Sequence, residues 1–388
     1  MKKRDVQHSC IITPNYPDPW FIERGAFVDR LVRIWQSEGM KVDVVAPRSY
    51  SNLLKNLTRK KHNSVKIAGD KVLYPSYLSV SNKKITNVDL GSVSRMFFVN
   101  AAQKGVAKCE IPDFYYGQFL MNGGNAALEA GKRNNRPAFC DVGESVLINS
   151  MSNEELKLAR DIVQGLDGLA CVSKKLMDEV IELGADPERV IYHPNTVDLN
   201  RFYPHDKMES RKKLNLPLDE KIVIFTGHFI ERKGPLRVLE ALKKQNGTPV
   251  RGIFIGRGEL KPEGKYVLHA GAVPNEELPV WLSAADIFVL PTLHEGHCNA
   301  INEAMACGLP VVSSDIQEVR CQVPKEAGLL VNPSIISELS QAINFLLMNK
   351  SKRLEMGVNA SNFLKKRSQV SRAESVLKWI SSKLNNNH

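Results

Sequence analysis

The sequence predicts an α/β protein built from two doubly wound halves. Its 388 residues are more than one ordinary hydrophobic core accommodates, which indicates two domains. Strand-like and helix-like segments alternate along the chain, the pattern of parallel sheets covered by helices. A polar stretch at residues 205–211 interrupts the alternation, which then begins again. We interpret this stretch as a linker, so that residues 1–204 form the first domain.

The composition is that of a soluble globular protein. Hydrophobic residues make up 43% and charged residues 24% of the chain, which excludes wholesale disorder. The formal net charge of +11 favours an anionic partner, such as nucleic acid, a membrane surface or a phosphorylated substrate. The basic residues form small groups without zinc-finger spacing, an RNP-like strand or a heptad zipper, so we do not expect nucleic acid.

The cysteines and the apolar runs help to predict the cellular compartment of the protein. Seven cysteines are scattered without a Cys-x-x-Cys, which favours reduced thiols and a cytoplasmic location. No apolar run approaches the roughly 20 residues that span a bilayer. We therefore expect any membrane contact to be peripheral, at the inner face of an anionic membrane. Residues 52–62, basic with interleaved leucines, are a candidate for it, and a solvated surface segment is the alternative.

The first half begins with a strand at residues 9–14 and a proline-rich loop. A helix at residues 26–38 follows, with apolar residues at helical spacing and Gly39 as its stop. Gly25 precedes this helix, where a glycine lets a ligand approach the backbone closely. Ser152 and Glu155 fit a capping box at the start of a later helix. The further strands and helices of this half are predicted at residues 42–46, 113–119, 123–132, 137–140, 152–164, 168–172, 173–183 and 190–193.

The second half repeats the alternation, and a helix at residues 371–384 closes the chain. Its earlier strands and helices are predicted at residues 221–225, 236–244, 252–255, 267–270, 275–284, 286–290, 299–307, 311–312, 329–331, 335–348 and 351–363. Ligands of doubly wound sheets bind outside the carboxyl ends of the strands. The polar candidates of this half all fall there, at residues 227–234, 256–259, 273–274 and 291–303.

Two glutamates stand out in the last of these loops, Glu295 and Glu303, eight positions apart. Taken alone, they are two solvated acids on either side of a helix start. The nearby histidines and cysteines are one residue short of His-Glu-x-x-His, so we expect no catalytic zinc. No two aspartates are two positions apart, so the chain also lacks the Asp-x-Asp pair of many metal-dependent transferases.

The sequence resembles the family 4 glycosyltransferases (GT4) of the GT-B fold. The resemblance is carried by Glu295-Gly296 through Glu303-Ala-Met-Ala-Cys-Gly-Leu-Pro-Val-Val312, by Asn275-Glu-Glu-Leu-Pro279 and by Lys233-Gly234. It covers nearly the whole chain and is densest at residues 168–357. It implies two Rossmann-like domains facing a central cleft. The acceptor would bind to residues 1–204, the nucleotide-sugar to residues 205–365, and a C-terminal helix at residues 366–388 would return to the N-terminal domain.

The resemblance also assigns the donor side. Glu303 would bind the ribose hydroxyls, Glu295 would lie near the sugar, and Lys233 would neutralise the departing diphosphate. Backbone N–H groups at the helix start would hold the diphosphate. The other donor-side positions are Gly25, Gly227, His228, Arg232, Gly256, Arg257, Val273, Pro274, Gly296, His297, Cys298, Asn299, Ala300 and Ile301.

On the acceptor side, the resemblance points to the end of a first-half strand. The positions there are Arg24, Tyr115, Tyr116 and Gln118, whose aromatic rings suit sugar faces or core packing. Asp141 and Glu144 replace a histidine segment of the family. They face the reacting groups or serve as structural turn residues, and both interpretations stay open. The catalytic candidates are thus Glu295, Lys233, Asp141 and Glu144.

The expected function is a retaining, metal-independent transfer of a sugar from a nucleotide-sugar to a glycan or lipid-linked acceptor, in cell-surface polysaccharide biosynthesis. The nucleotide-sugar is a co-substrate, and we expect no cofactor and no metal. The alternative is a non-catalytic GT-B scaffold that binds nucleotide-sugar or glycan. It is motivated by the missing histidine and by His228, where the family usually has an arginine.

Overall fold

The chain folds into two compact α/β units. The structure, a computed structural model, describes residues 6–21, 24–51, 66–79, 84–85, 88–144, 147–245, 249–368 and 371–386. Unit 1 comprises Met1–Pro194 and Arg372–His388, and unit 2 comprises Asn195–Ser371. Each unit contains a parallel sheet with helices packed against it, which confirms the predicted fold class. The candidate membrane segment at residues 52–62 lies outside the described residues.

Unit 1 is built around a seven-stranded sheet in the order β11-β10-β9-β8-β1-β2-β4, with every neighbouring pair parallel. The strands of this unit are β1 (His8–Ile12), β2 (Lys41–Val45), β3 (Arg48–Ser49), β4 (Lys71–Leu73), β5 (Ser76–Tyr77), β6 (Lys84–Ile85), β7 (Val88–Asp89), β8 (Phe114–Gln118), β9 (Ala138–Val142), β10 (Gly168–Cys171) and β11 (Val190–Tyr192). The helices are α1 (Ala26–Ser37), α2 (Leu90–Val106), α3 (Asn125–Asn134), α4 (Asn153–Gly165) and α5 (Lys174–Glu182).

The two faces of the unit 1 sheet support separate hydrophobic cores. Successive residues of a strand point to opposite faces, so Cys10 and Ile12 join one core while Ile11 joins the other. Helix α4 shows how local sequence sets an element boundary: Ser152 Oγ accepts from Glu155 N at 3.3 Å, and Glu155 Oε2 accepts from Ser152 N at 2.8 Å. The predicted capping box is confirmed.

Unit 2 contains a six-stranded parallel sheet in the order β14-β13-β12-β15-β16-β17. The strands are β12 (Lys221–Thr226), β13 (Val250–Ile255), β14 (Val267–Gly271), β15 (Ile287–Leu290), β16 (Val311–Ser314) and β17 (Gly328–Val331). The helices are α6 (Lys207–Lys213), α7 (Pro235–Lys243), α8 (Leu278–Ala284), α9 (Asn299–Ala306), α10 (Gln317–Arg320), α11 (Ile336–Met348) and α12 (Lys350–Arg367).

The last helix, α13 (Arg372–Asn386), belongs to unit 1 although unit 2 precedes it in the chain. Trp35 of α1 donates its indole N–H to the Ala373 carbonyl at 2.9 Å. Trp379 packs edge-on against Phe139 of β9, with ring centroids 5.8 Å apart. The predicted return of the C-terminal helix to the first domain is therefore confirmed.

The stretch at residues 205–211 is not a linker. It contains the start of α6, which Asp206 caps by accepting from Glu209 N at 2.8 Å. Arg211 is buried and pairs with Asp286, with Nη2 and Oδ2 2.9 Å apart. The units divide after Pro194 instead, ten residues before the expected boundary, because Phe202 is already buried in the core of unit 2. The second division follows Ser371 and not residue 365.

The part of unit 1 that the sequence left irregular, residues 49–110, contributes the edge strand β4 of the main sheet, the short strands β5, β6 and β7, and a long helix. Helix α2 buries Phe98, Ala102 and Val106, spaced by four residues, against the core beside α3. This four-residue spacing is visible in the sequence and is typical of a helix. Within the described ranges, no helix is both long enough and apolar enough to cross a bilayer.

Candidate active site

The candidate donor site lies at the carboxyl edge of the unit 2 sheet. Strands β12 and β15 are neighbours in the sheet, although α7, β13, β14 and α8 lie between them in the chain. This is the point where strand order reverses, the usual ligand position in such sheets. The loop after β12 and the loop after β15 are joined by a backbone hydrogen bond from Leu293 N to the Arg232 carbonyl, at 2.8 Å.

A buried carboxylate and two cations form the centre of this edge. Glu295 is only 6% exposed, and its Oε1 accepts hydrogen bonds from Lys233 Nζ and, at 2.8 Å, from Thr292 Oγ1. Arg232 Nη1 lies 3.7 Å from the same oxygen and donates to the His294 carbonyl at 2.7 Å. A carboxylate this buried requires a charged partner, and Lys233 provides it.

Two glycines allow the loops after β12 and β13 to pack backbone against backbone. A Cβ built on Gly256 would lie 1.8 Å from the Gly227 carbonyl oxygen, so no side chain fits there. Gly234 caps α7 in the left-handed conformation, with φ of 74°, and Pro235 follows at the first helical position. These positions keep Lys233 close to the helix start.

Helix α9 begins directly after the Glu295 loop. Its N-cap, Cys298, makes no side-chain capping hydrogen bond, and Gln322 holds its backbone, accepting from Cys298 N at 3.2 Å and donating to its carbonyl at 2.5 Å. Burial raises the pKa of the Cys298 thiol to about 11, and the Glu295 carboxylate adds to the effect. The thiol is therefore neutral at pH 7 and is not a nucleophile.

The remaining donor-side candidates differ in their surroundings. Glu303 lies half-buried on α9, one turn after its start, and Ile301 of the same helix is fully buried. His297 lies 3.3 Å, Nε2 to Nη2, from Arg367. The other positions are either backbone neighbours of Glu295 and the α9 start or lie on loops after β12, β13 and β14: Gly296 is buried, Val273 and Ala300 are half-buried, and His228, Arg257, Pro274 and Asn299 are exposed.

Sequence reasoning missed three polar residues that support the α9 start. Gln322 Nε2 donates to Asn302 Oδ1 at 2.8 Å, and Asn302 Nδ2 donates to the Asn195 carbonyl at 2.9 Å. Asn195 Nδ2 in turn donates to the His297 carbonyl at 3.4 Å. The sequence signal for this network was Asn302, whose amide side chain lies among the buried apolar residues of α9 and therefore needs hydrogen-bond partners.

In unit 1, Gly25 lies at the N-cap of α1 in the left-handed conformation, with φ of 64°. A Cβ there would lie 2.2 Å from the Asn15 carbonyl oxygen, so the loop after β1 needs glycine for its own packing. Arg24 places its guanidinium 4.6 Å from the centroid of the Phe21 ring. Both residues lie at the carboxyl edge of the unit 1 sheet.

Asp141, at the end of β9, is engaged inside unit 1. Both its oxygens accept from Arg372 of α13, at 2.6 and 3.0 Å. Tyr116 donates its hydroxyl at 3.1 Å, and Gln118 Nε2 lies 3.4 Å away. The Tyr115 ring is also buried, and its hydroxyl accepts from Asn134 Nδ2 at 2.8 Å. These four positions thus belong to the interior of unit 1, which gives them a structural role.

Glu144 differs from Asp141. Its Oε1 accepts from Leu120 N at 2.5 Å, whereas Oε2 is buried with no hydrogen-bond partner among the residues that the structure describes. Burial raises the pKa of this carboxyl to about 7. Glu144 lies just beyond β9, at the same sheet edge as Gly25, and its Oε2 keeps hydrogen-bonding capacity.

The chain is similar in sequence to known proteins. Residues 206–363 match the family of glycosyl transferases group 1. The glycosyltransferase TuaC of Bacillus subtilis, named for teichuronic acid biosynthesis, is 28% identical over 345 residues, covering 86% of this chain and 87% of TuaC. The D-inositol 3-phosphate glycosyltransferase of Mycobacterium bovis is 31% identical over 204 residues, covering 48% of this chain and 42% of that protein.

The fold has a counterpart among solved structures. Anabaena Alr3699/HepE in complex with UDP superposes with a TM-score of 0.74 at 17% identity, covering 97% of this chain and 100% of that one. This chain is a GT-B glycosyltransferase with a group 1 domain. The group 1 match begins at the start of α6 and ends within α12, so in this glycosyltransferase it covers the unit that contains Lys233, Glu295 and Glu303.

Proposed function

We propose that this glycosyltransferase is a GT4 enzyme that transfers a sugar from a nucleotide-sugar to a glycan or lipid-linked acceptor, with retention of configuration and without a metal. The observation that carries the proposal is the Lys233–Glu295 pair at the switch point of the unit 2 sheet, with Arg232 beside it. Two cations and a carboxylate at this switch point suit a diphosphate and a sugar hydroxyl, which supports the proposal.

The donor would be held by groups of opposite character. Lys233 and Arg232 suit the diphosphate, whose negative charge grows as the bond to the sugar breaks. Glu295 suits a sugar hydroxyl, since a carboxylate accepts hydrogen bonds from hydroxyls and repels phosphate. Glu303, one turn into α9, would accept from the ribose hydroxyls. Binding of the diphosphate would draw Lys233 away from Glu295 and release the carboxylate for the sugar.

A donor screen tests this assignment. UDP-, GDP- and ADP-sugars are incubated with the wild-type protein, and release of nucleoside diphosphate is measured with and without glycan acceptors. UDP-sugars come first, because the superposed HepE structure is a complex with UDP. Glu303→Ala should weaken donor binding by about 1.5–3 kcal/mol, the worth of a hydrogen bond to a charged group. If no donor and acceptor gave turnover, the proposed transfer would be contradicted and the non-catalytic binding scaffold would be favoured.

Metal independence has its own measurement. The side chains proposed to neutralise the diphosphate are cationic, and the sequence contains no Asp-x-Asp pair. We expect equal transfer rates with excess EDTA and with added Mg²⁺ or Mn²⁺. Loss of activity in EDTA that a divalent cation restores would contradict this part of the proposal.

Retention of the anomeric configuration would be tested on the reaction product. A retaining enzyme needs no strong base on the acceptor side if the donor phosphate accepts the proton of the acceptor hydroxyl. Proton NMR of the first-formed product should show the anomeric configuration of the donor sugar, and an inverted product would overturn the assignment.

The acceptor would be a growing cell-surface polysaccharide, as the name of TuaC suggests for that relative. Lipid-linked acceptors of this kind lie at membranes, and residues 1–110 carry 19 Lys and Arg against 9 Asp and Glu, a net charge of +10. We therefore include peripheral contact with an anionic membrane in the proposal. Sedimentation with phosphatidylglycerol vesicles at low salt should exceed that with phosphatidylcholine vesicles, and equal recovery would contradict it.

A further inference from the structure

The guanidinium of Arg237, in the first turn of α7, contacts both loops that meet at the candidate donor site. Its Nη2 donates to the Glu231 carbonyl at 2.7 Å and to the Pro291 carbonyl at 2.9 Å. Glu231 belongs to the loop after β12, which contains Lys233. Pro291 begins the loop after β15, which contains Glu295. One side chain of unit 2 therefore joins the two loops.

The Arg232 carbonyl is a second point of contact between the same loops. It accepts from Leu293 N at 2.8 Å and lies 3.4 Å from Arg237 Nη2. Arg232 directly precedes Lys233 in the chain. The backbone on the amino side of Lys233 is thus held against the loop that contains Glu295, and Arg237 contributes to that hold.

The local sequence makes room for this guanidinium at an otherwise unfavourable position. A Cβ on Gly234 would lie 2.6 Å from Arg237 Nη2 and 2.8 Å from its Cζ, so the glycine leaves the space that the guanidinium occupies. A cation in the first turn of a helix lies at the positive end of the helix dipole, which disfavours it. The carbonyl oxygens and the Glu231 carboxylate, which accepts from Nη1, offset this repulsion. The position is therefore explained by the contacts of the arginine.

The same contacts indicate that Arg237 acts on the loops and not on a ligand. Its side chain is 12% exposed, Nη1 is engaged by Glu231 and Nη2 by backbone carbonyls. A planar guanidinium directs its N–H groups in fixed directions, which suits it to holding two backbone segments together.

We propose that Arg237 is a positioning residue for sugar transfer, which holds Lys233 in place by joining the loops after β12 and β15. The inference rests on the proposed function, in which Lys233 neutralises the departing diphosphate. It adds a residue that touches neither donor nor acceptor and acts through the lysine.

Steady-state kinetics with the donor and acceptor that the wild type uses test this role. Arg237→Gln should lower kcat by about tenfold to a hundredfold, as small misplacements of a catalytic group do, and should change the donor KM less. Arg237→Lys keeps the charge but not the planar fork, so it should remain impaired. Lys243→Gln should keep the wild-type kcat and is the matched control, because Lys243 lies on the same helix and pairs with Glu240 at 2.7 Å. Wild-type kcat in Arg237→Gln or in Arg237→Lys would overturn the proposal.

A double-variant cycle separates positioning from a general structural role. If Arg237 acts through Lys233, adding Arg237→Gln to Lys233→Met should lower kcat by less than about a further twofold. Independent roles would multiply the two losses, and that result would contradict the proposal. The assays are run well below the thermal midpoints of all variants, so that unfolding does not contribute to the losses.

Chemical labelling tests the position of Lys233 without turnover. The Lys233 side chain is 12% exposed and donates to Glu295 Oε1, so trinitrobenzenesulfonate should label it slowly in the folded wild type. Peptide mass spectrometry should show severalfold faster labelling of Lys233 in Arg237→Gln and the wild-type rate in Lys243→Gln. If the wild type transfers no sugar, the proposed function fails, and the labelling rates still decide whether Arg237 holds the lysine. Equal rates at Lys233 in the wild type and Arg237→Gln would overturn the inference even in an active enzyme.

Discussion

Arg372 and Asp141 form a bidentate ion pair in the interior of unit 1, although 231 positions separate them in the chain. Nη1 lies 2.6 Å from Oδ2, and Nη2 lies 3.0 Å from Oδ1. The Arg372 guanidinium also donates to the His193 and Ala170 carbonyls, at 2.6 and 3.2 Å. The pair fastens the start of α13 to the ends of β9 and β10.

Removal of one partner of this pair should destabilise unit 1. Asp141→Ala leaves a buried, unpaired guanidinium, a change that costs about 3–5 kcal/mol in comparable sites. Urea denaturation should show this loss, and Arg372→Ala should resemble it. Lys378→Ala removes an exposed cation from the same helix and should change the free energy of unfolding by less than about 0.5 kcal/mol. A wild-type denaturation midpoint for Asp141→Ala would contradict the structural role.

The Lys233–Glu295 pair gives a prediction about activity. Lys233→Met should lower kcat for sugar transfer by about 10²–10³-fold, the loss seen when one group that stabilises developing charge is removed. It also leaves Glu295 buried without its partner, so the thermal midpoint should fall. The double variant Lys233→Met/Glu295→Gln should recover stability but not activity.

The matched control for Lys233 is Arg320→Gln in the same unit. Arg320 pairs with Asp315 on the surface, at 2.5 Å, and its loss should leave kcat unchanged. Full activity in Lys233→Met, with any donor that the wild type uses, would exclude Lys233 from the donor site.

Glu144 should make stability depend on pH. Its pKa is raised by burial from an ordinary value of 4.5 to about 7, so the folded state holds a proton that the unfolded state has lost. The contribution of this group to the free energy of unfolding therefore falls as pH rises from about 4.5 to about 7, and the penalty persists above that range. Glu144→Gln should remove this dependence and stabilise the protein at pH 8.

The comparison for Glu144→Gln is Glu182→Gln, which changes an exposed glutamate of α5. Denaturation midpoints measured between pH 4 and pH 8 should show the same slope for Glu182→Gln and the wild type. A parallel pH dependence of Glu144→Gln and the wild type would show that the Glu144 carboxyl titrates normally.

Gly256→Ala should disturb the loops after β12 and β13. Its Cβ would lie 1.8 Å from the Gly227 carbonyl oxygen, a backbone atom that cannot turn away. We expect a loss of about 1–3 kcal/mol in stability, typical of overpacking, and weaker donor binding. Gly271→Ala is the control, because its Cβ would meet the His269 ring at an ordinary 3.6 Å. Equal melting temperatures for the two variants would contradict the close approach.

The alternation of strands and helices was readable because buried parallel strands and amphipathic helices have distinct periodicities. The positions of loops at strand ends followed from the same alternation. What the sequence could not provide was strand order: Lys233 and Glu295 meet because β12 and β15 are neighbours, while 62 positions separate the two residues. No local pattern encodes that adjacency.

The charge or polarity of a residue predicted the wrong environment where its partner is distant in the sequence. Arg211 was interpreted as part of a solvated linker, yet it is buried because Asp286, 75 positions away, neutralises it. Asp141 likewise depends on a residue from the last helix. Tyr115 and Tyr116 suited a sugar face equally well in the sequence, and only the packing around β8 puts their rings in the interior.

The interrupted course of unit 1 has a consequence for synthesis on the ribosome. Its first 194 residues emerge early, but Arg372 and Trp379 leave the exit tunnel only after all of unit 2 has been made. Until then, Asp141 lacks its cation, and Trp35 and Phe139 lack the helix that covers them. The nascent first unit therefore remains incomplete, with exposed apolar surface, until translation ends. We expect it to need chaperones most during this period.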